Sequence, residues 1–155
     1  SRPSLLYHFA SKDILYEAVV NRCFESLGQA LGSVMAADGS FEQRLEGVVV
    51  AFEQYMASSP AVAGVLVREL LAGDGPGKAL LLAQATPILD EVERWVLAEG
   101  KDVVVSGDQT RSILLHIVSN SLLRNASGDL EQSLWGPQTS CWIWVQTVVL
   151  GKHHA

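Results

Sequence analysis

The sequence predicts an all-α fold, and three observations carry that expectation. Apolar residues recur every three and four positions along most of the chain, helix caps and terminators punctuate those stretches, and no alternating strand pattern finds a partner. The 155 residues hold one domain or one and a half. A composition of 48% hydrophobic against 18% charged residues supplies enough apolar surface to offset the entropy of ordering the chain, so intrinsic disorder is excluded. Mean hydropathy is positive, at +0.21. Every apolar run is nevertheless cut by a polar residue well before the roughly 20 residues that a membrane-spanning helix needs. The excess of apolar residues therefore points to a buried subunit interface or an apolar cavity.

The elements follow in order. Ser11 precedes the stripe Leu15, Ala18, Val19, Arg22, Cys23, Leu27, Leu31 and Val34, with Asp13 placed where a negative charge suits the helix dipole. This long helix stops at Ala37-Asp38-Gly39. Ser40 with Gln43 forms a capping box, and Leu45, Val48, Val49, Phe52, Tyr55 and Met56 give the next helix its apolar face. Ser59 as N-cap and Pro60 in the first turn open a short helix that ends at the Gly-rich loop 73–77. From about Lys78 to Glu99 runs another long pattern, which Pro87 is expected to kink or split, with Gly100 as its terminator. Val103-Val104-Val105 is too short and too isolated to form a sheet and reads as loop. Ser106 with Gln109 reads as a second capping box, opening a helix that ends near Gly128. The last helix is expected from about Pro137 to Gly151.

That last helix is apolar nearly all round, through Cys141, Trp142, Ile143, Trp144, Val145, Val148, Val149 and Leu150, so it must be covered on more than one side. A second subunit is the expected cover; the alternative is a core helix of a monomer, since Trp142 and Trp144 also suit an interior. Two copies of this helix and of the helix at 106–127 would make a four-helix packing about a two-fold axis, with Val118, Leu122, Trp142, Val145 and Val149 at the interface.

Seventeen acidic residues against 11 basic give a net charge of −6, so a basic footprint over the whole domain is absent. Cys23 and Cys141 lie far apart, with no CxxC pair and no secretory leader, and a reduced cytoplasmic setting is expected. The sequence carries no GxSxG, GxGxxG, P-loop or HExxH motif and no Glu-x-x-His pair, so neither an enzyme nor a bound cofactor or metal is expected. The opening Ser1-Arg2-Pro3 has no initiator Met, which is compatible with a start inside a longer protein.

Residues 1–15 read Ser-Arg-Pro-Ser-Leu-Leu-Tyr-His-Phe-Ala-Ser-Lys-Asp-Ile-Leu. This segment resembles the end of the DNA-binding motif of TetR-family transcriptional regulators, in which a recognition helix runs through an aromatic-x-His-Phe stretch into a Ser-Lys-acidic-x-Leu helix start. Tyr7, His8, Phe9, Ser11, Lys12, Asp13 and Leu15 match, whereas Leu6 stands where the family usually has an aromatic. Beyond residue 15 the likeness is architectural only. It implies residues 1–12 as the remnant of a helix-turn-helix domain and 13–155 as a ligand-binding and dimerisation domain. It also implies two further helices before residue 1, and tight operator binding only by a chain that has them. Arg2 and Ser4 are suited to the major groove, Tyr7 and His8 to phosphate oxygens, and Lys12 to the anion site at the following helix start.

The resemblance further implies a small-molecule pocket enclosed by the helices of roughly 40–57, 60–72, 77–99 and 106–127. The sequence offers Phe52, Tyr55, Met56, Leu66, Leu70, Leu82, Leu89 and Trp95 as walls, with Arg68, Glu69, His116 and Asn120 as polar points. The same residues suit an ordinary helical core. His116, Asn120 and Arg124 share one helix face, where a ligand, a partner or solvent would satisfy them. Arg68 and Glu69 read as a structural or surface ion pair rather than a binding site. The expected function is that of a homodimeric, ligand-responsive regulator, read as a repressor, which a small apolar or aromatic effector releases from operator DNA. The alternative is a helical dimeric scaffold with no small-molecule ligand.

Overall fold

A computed structural model describes residues 11–73, 75–104, 109–137 and 139–151. Among them the chain is all-helical, with no strand. Seven α-helices and one 3-10 turn follow in order: α1 (Lys12–Met35), α2 (Phe41–Ser58), α3 (Pro60–Leu71), α4 (Pro76–Glu99), α5 (Thr110–Ala126), the 3-10 turn Gly128–Leu130, α6 (Glu131–Trp135) and α7 (Cys141–Val148).

The first helix starts where the cap places it. Ser11 is extended and its hydroxyl accepts a hydrogen bond from the Ile14 N–H at 3.2 Å. Ser40 and Gln43 form both halves of the expected capping box: the Gln43 N–H donates to the Ser40 hydroxyl and the Ser40 N–H donates back to Gln43 Oε1. Ser59 is the N-cap residue of α3 but gives no side-chain cap, and its carbonyl receives the Val62 N–H instead. Helix α4 continues through Pro87 without splitting.

Three sequence expectations are corrected. Gln109 is itself the N-cap of α5 and makes no side-chain cap bond, so the second capping box does not open this helix, and Ser106 lies outside the described residues. The final helix is only eight residues long, begins after Ser140 rather than at Pro137, and is preceded by the unexpected 3-10 turn and α6. Gly136, at φ 70°, makes the reversal between α6 and α7, a backbone conformation that L side chains rarely adopt. Lastly, α1 buries Val20, Leu27, Leu31 and Met35, while Ala18 and Val19 of the expected stripe face outward.

The core is one cluster to which every long helix contributes. α1 packs on α2 and α4, α3 on α5, and α5 also meets α2, α4 and α6. A Cβ on Gly47 would stand 2.6 Å from Val34 Cγ1, so α1 and α2 approach too closely there for a larger residue. At the same end of these two helices Arg44 ties three elements together. It donates to the Met35 carbonyl at the end of α1 (2.7 Å), pairs with Glu99 of α4, and lies 5.6 Å from the Trp95 ring centre.

Candidate functional site

The expected DNA-facing residues fall mostly outside the described part of the chain, which omits Arg2, Ser4, Tyr7 and His8. Lys12 is described, and it stands exposed in the first turn of α1 beside the Ser11 cap. A positive side chain next to unbonded helix N–H groups is an arrangement that favours an anion.

The expected ligand walls do not meet in one place. Phe52, Met56 and Leu66 are buried in the common core. The Tyr55 hydroxyl donates to the Cys23 carbonyl at 2.6 Å, which spends its polar group on α1. Leu70 is 65% exposed, so it lines nothing, and Leu89 is half-buried on α4. Trp95 is half-buried against Phe41, with ring centres 5.0 Å apart, and its indole N–H has no hydrogen-bond partner. Glu69 pairs with Arg68 at 3.6 Å, the ion pair expected from sequence.

The polar face of α5 is divided among partners within the chain. His116 meets the edge of Trp144, Asn120 donates to the Cys141 sulfur at 3.1 Å, and Arg124 pairs with Glu131 at 2.7 Å. These contacts come from α6 and α7, the two elements least visible in the sequence.

The expected interface residues are also displaced. Leu122, Trp142, Val145 and Val149 are buried in the chain's own core, Val145 to 1% exposure, and Val118 packs against that core. The four buried ones have almost no surface left to offer a second subunit, whereas Val118 is only partly buried. The outward apolar residues of the same two helices are Leu115, Leu123, Ile143 and Trp144, each at least 40% exposed. The reason is register: α5 turns its 110, 113, 117 and 121 face inward, at the spacing of three and four that defines one helix side.

Two open grooves lie elsewhere. One, of about 450 Å³, runs between α1 and α4; Asn21, Phe24, Glu25, Gly28 and Gln29 form one wall and Gln84, Pro87 and Ile88 the other. The second, of about 500 Å³, lies between the end of α3, from Gly64 to Ala72, and Ala126 of α5. Of the expected ligand residues, Arg68 lines the second groove and none lines the first. The signal that bears on the first was present in sequence, as a glycine inside one long helix and a proline inside another. Spacing alone did not show that Gly28 and Pro87 face the same groove.

Neither a family model, nor a curated protein, nor a solved structure matches this chain.

The joint between α2 and α7 is the best-defined polar feature of the fold. Both carboxylate oxygens of Glu53 are used, one accepting from the Ser140 hydroxyl at 2.8 Å and the other from the Cys141 N–H at 2.6 Å. Glu53 thereby caps the start of α7 from another helix. Burial pushes the adjacent Cys141 thiol above its ordinary range, opposed in part by the hydrogen bond from Asn120. Burial and the neighbouring Cys23 thiol push the Tyr55 phenol up in the same direction.

A raised pKa on an acid means that the fold prefers the neutral form. The stability this contributes is complete below the pKa of the unfolded group and is lost as pH rises toward the folded one. Resistance to urea should therefore fall above about pH 9, where unfolded thiols and then phenols ionise. Cys141→Ala should flatten the first part of that decline. Urea titrations at pH 7.5, 9 and 10 test this, and equal midpoints at all three would refute it.

Proposed function

We propose that this chain is the effector-sensing and pairing part of a ligand-responsive transcriptional regulator of the TetR type, acting as a cytoplasmic homodimer and read as a repressor. The carrying observation is the agreement between the motif in residues 1–15 and the helix that follows. The Ser-Lys-Asp of the motif is the capped start of a helix of 24 residues, about 36 Å long at the usual rise. α1 leads from the proposed DNA contacts at its start to the packing against α2 and α4 further along. A rod of that length converts a small tilt at one end into a displacement at the other.

An effector that binds better to one tilt of α1 would change the spacing of two recognition helices, which must match major grooves about 34 Å apart. Only a difference in affinity between the two tilts can do so, and couplings of about 1–3 kcal/mol are typical. The outward residues Leu115, Leu123, Ile143 and Trp144 supply the apolar face for pairing. That face serves equally well in a dimeric scaffold with no ligand.

Selection of binding sites from random duplex DNA separates the two readings. The longer protein that the resemblance implies should enrich an inverted repeat with half-sites one helical turn apart. The 155-residue chain, lacking the two supporting helices, should bind that site at least about 100-fold more weakly. Failure to enrich any sequence favours the scaffold, and equal binding by the two forms refutes the proposed division of labour.

A further inference from the structure

We propose that the groove between α1 and α4 binds a small molecule with an apolar ring, an N–H donor and no negative charge. The inference deepens the effector half of the reading above, although binding itself does not depend on that reading.

The groove, at about 450 Å³, falls within the roughly 300–1,000 Å³ of small-molecule sites. Phe24 and Ile88 give it apolar surface on opposite walls, with the Pro87 ring beside them. Gly28 forms the floor: a Cβ there would already stand in ordinary van der Waals contact with Ile88 Cδ1, at 3.7 Å, so a larger side chain would take up the space between the two walls.

One unmatched acceptor sets the polarity of the occupant. Asn21, a lining residue, has its Oδ1 buried with no hydrogen-bond partner, an unfavourable state that a donor would relieve. The charge of the occupant follows from the walls. Glu25 is the one ionisable residue among the described lining residues, and a groove lined by a carboxylate and by no lysine, arginine or histidine repels anions. An occupant touching both walls would hold α1 against α4 midway along its length and so bias the tilt on which release depends.

The test is a titration of the isotopically labelled 155-residue chain, followed through the side-chain amide resonances of Asn21, Gln29 and Gln84, with no DNA present. The probes are 2-naphthamide, its carboxylate 2-naphthoate and its donor-free ester methyl 2-naphthoate. Naphthamide should shift those resonances saturably, with the other two binding at least about tenfold more weakly. Gly28→Leu, which places a good helix former in the floor beside Ile88, should abolish binding while the thermal midpoint is kept. Asn21→Leu should weaken naphthamide about tenfold and leave the ester unchanged. Equal binding of the three probes, shifts confined to other residues, absence of a saturable shift, or unaltered binding by the Gly28 variant would each overturn the proposal. Because no operator is involved, a failed site selection leaves this result standing, and a failed titration leaves the site selection standing.

Discussion

Replacing Glu53 with alanine is expected to cost about 2–4 kcal/mol and to release α7 from the rest of the chain. The estimate rests on two hydrogen bonds to one carboxylate, from the Ser140 hydroxyl and the Cys141 N–H, at the helix end where negative charge is favourable. Bonds to a charged group contribute about 1.5–3 kcal/mol each, and part of that is offset when the freed groups find water. The side chains that α7 buries would follow: Trp142 at 8% exposure and Val145 at 1% lose their cover when the helix start is no longer held. The result should be a lower urea midpoint and a red-shifted tryptophan emission that precedes global unfolding. Ser140→Ala removes one of the two bonds together with the hydroxyl that caps the Trp142 N–H, and should lose about 1 kcal/mol. A Glu53→Ala protein that unfolds within about 0.5 kcal/mol of the original, with unchanged emission, would show that the carboxylate only decorates the joint.

What could be read from sequence divides along physical lines. The starts of α1, α2 and α3 were legible because a cap is a local device: Ser11, the Ser40–Gln43 pair and Ser59-Pro60 act within one turn of themselves. The inward face of α2 was legible for the same reason, since five buried residues at helical spacing leave little choice of orientation. The N-terminal half of α1 was not. Ala18 and Val19 carry as much apolar character as Val20, and only the placement of α2 and α4 decides which of them is covered.

The region after residue 127 was the least legible, and it governs where the expected sites end up. α6 has five residues, too few for a periodic pattern, yet Glu131 within it takes the Arg124 side chain. The contacts that place α7 come from Glu53, 87 and 88 residues away, a separation on which local spacing has no bearing. Once α7 is docked by that carboxylate, its Cys141–Trp142–Val145 side turns inward and the residues expected at a subunit interface become core. The apolar surface that remains is the opposite side of the same helix, Ile143 and Trp144, close to His116 of α5. The expectation of an unusually apolar last helix thus holds, while the assignment of its two sides is reversed.

Phe52→Ala is the substitution that separates a packed core from a preformed effector chamber. Phe52 is buried on α2, in the same cluster as Met56 at 2% exposure, Ala63 at 0% and Val145 at 1%. If this ring formed the wall of a chamber kept open for a ligand, its removal would enlarge a void already present and the loss would approach the transfer term alone. In a packed cluster the loss includes the cavity left behind, and truncation of a buried phenylalanine then costs about 3–5 kcal/mol. The cluster around Phe52 draws on six helices, so neighbouring side chains have little freedom to close the gap. We expect the larger value, read as a fall in urea midpoint at an unchanged slope. A dry cavity of this kind admits benzene, which should raise the melting temperature of the variant and leave that of the original chain unmoved. A loss below about 1.5 kcal/mol, with benzene stabilising both proteins alike, would place a void beside Phe52 and move the effector site from the α1–α4 groove to the centre of the bundle.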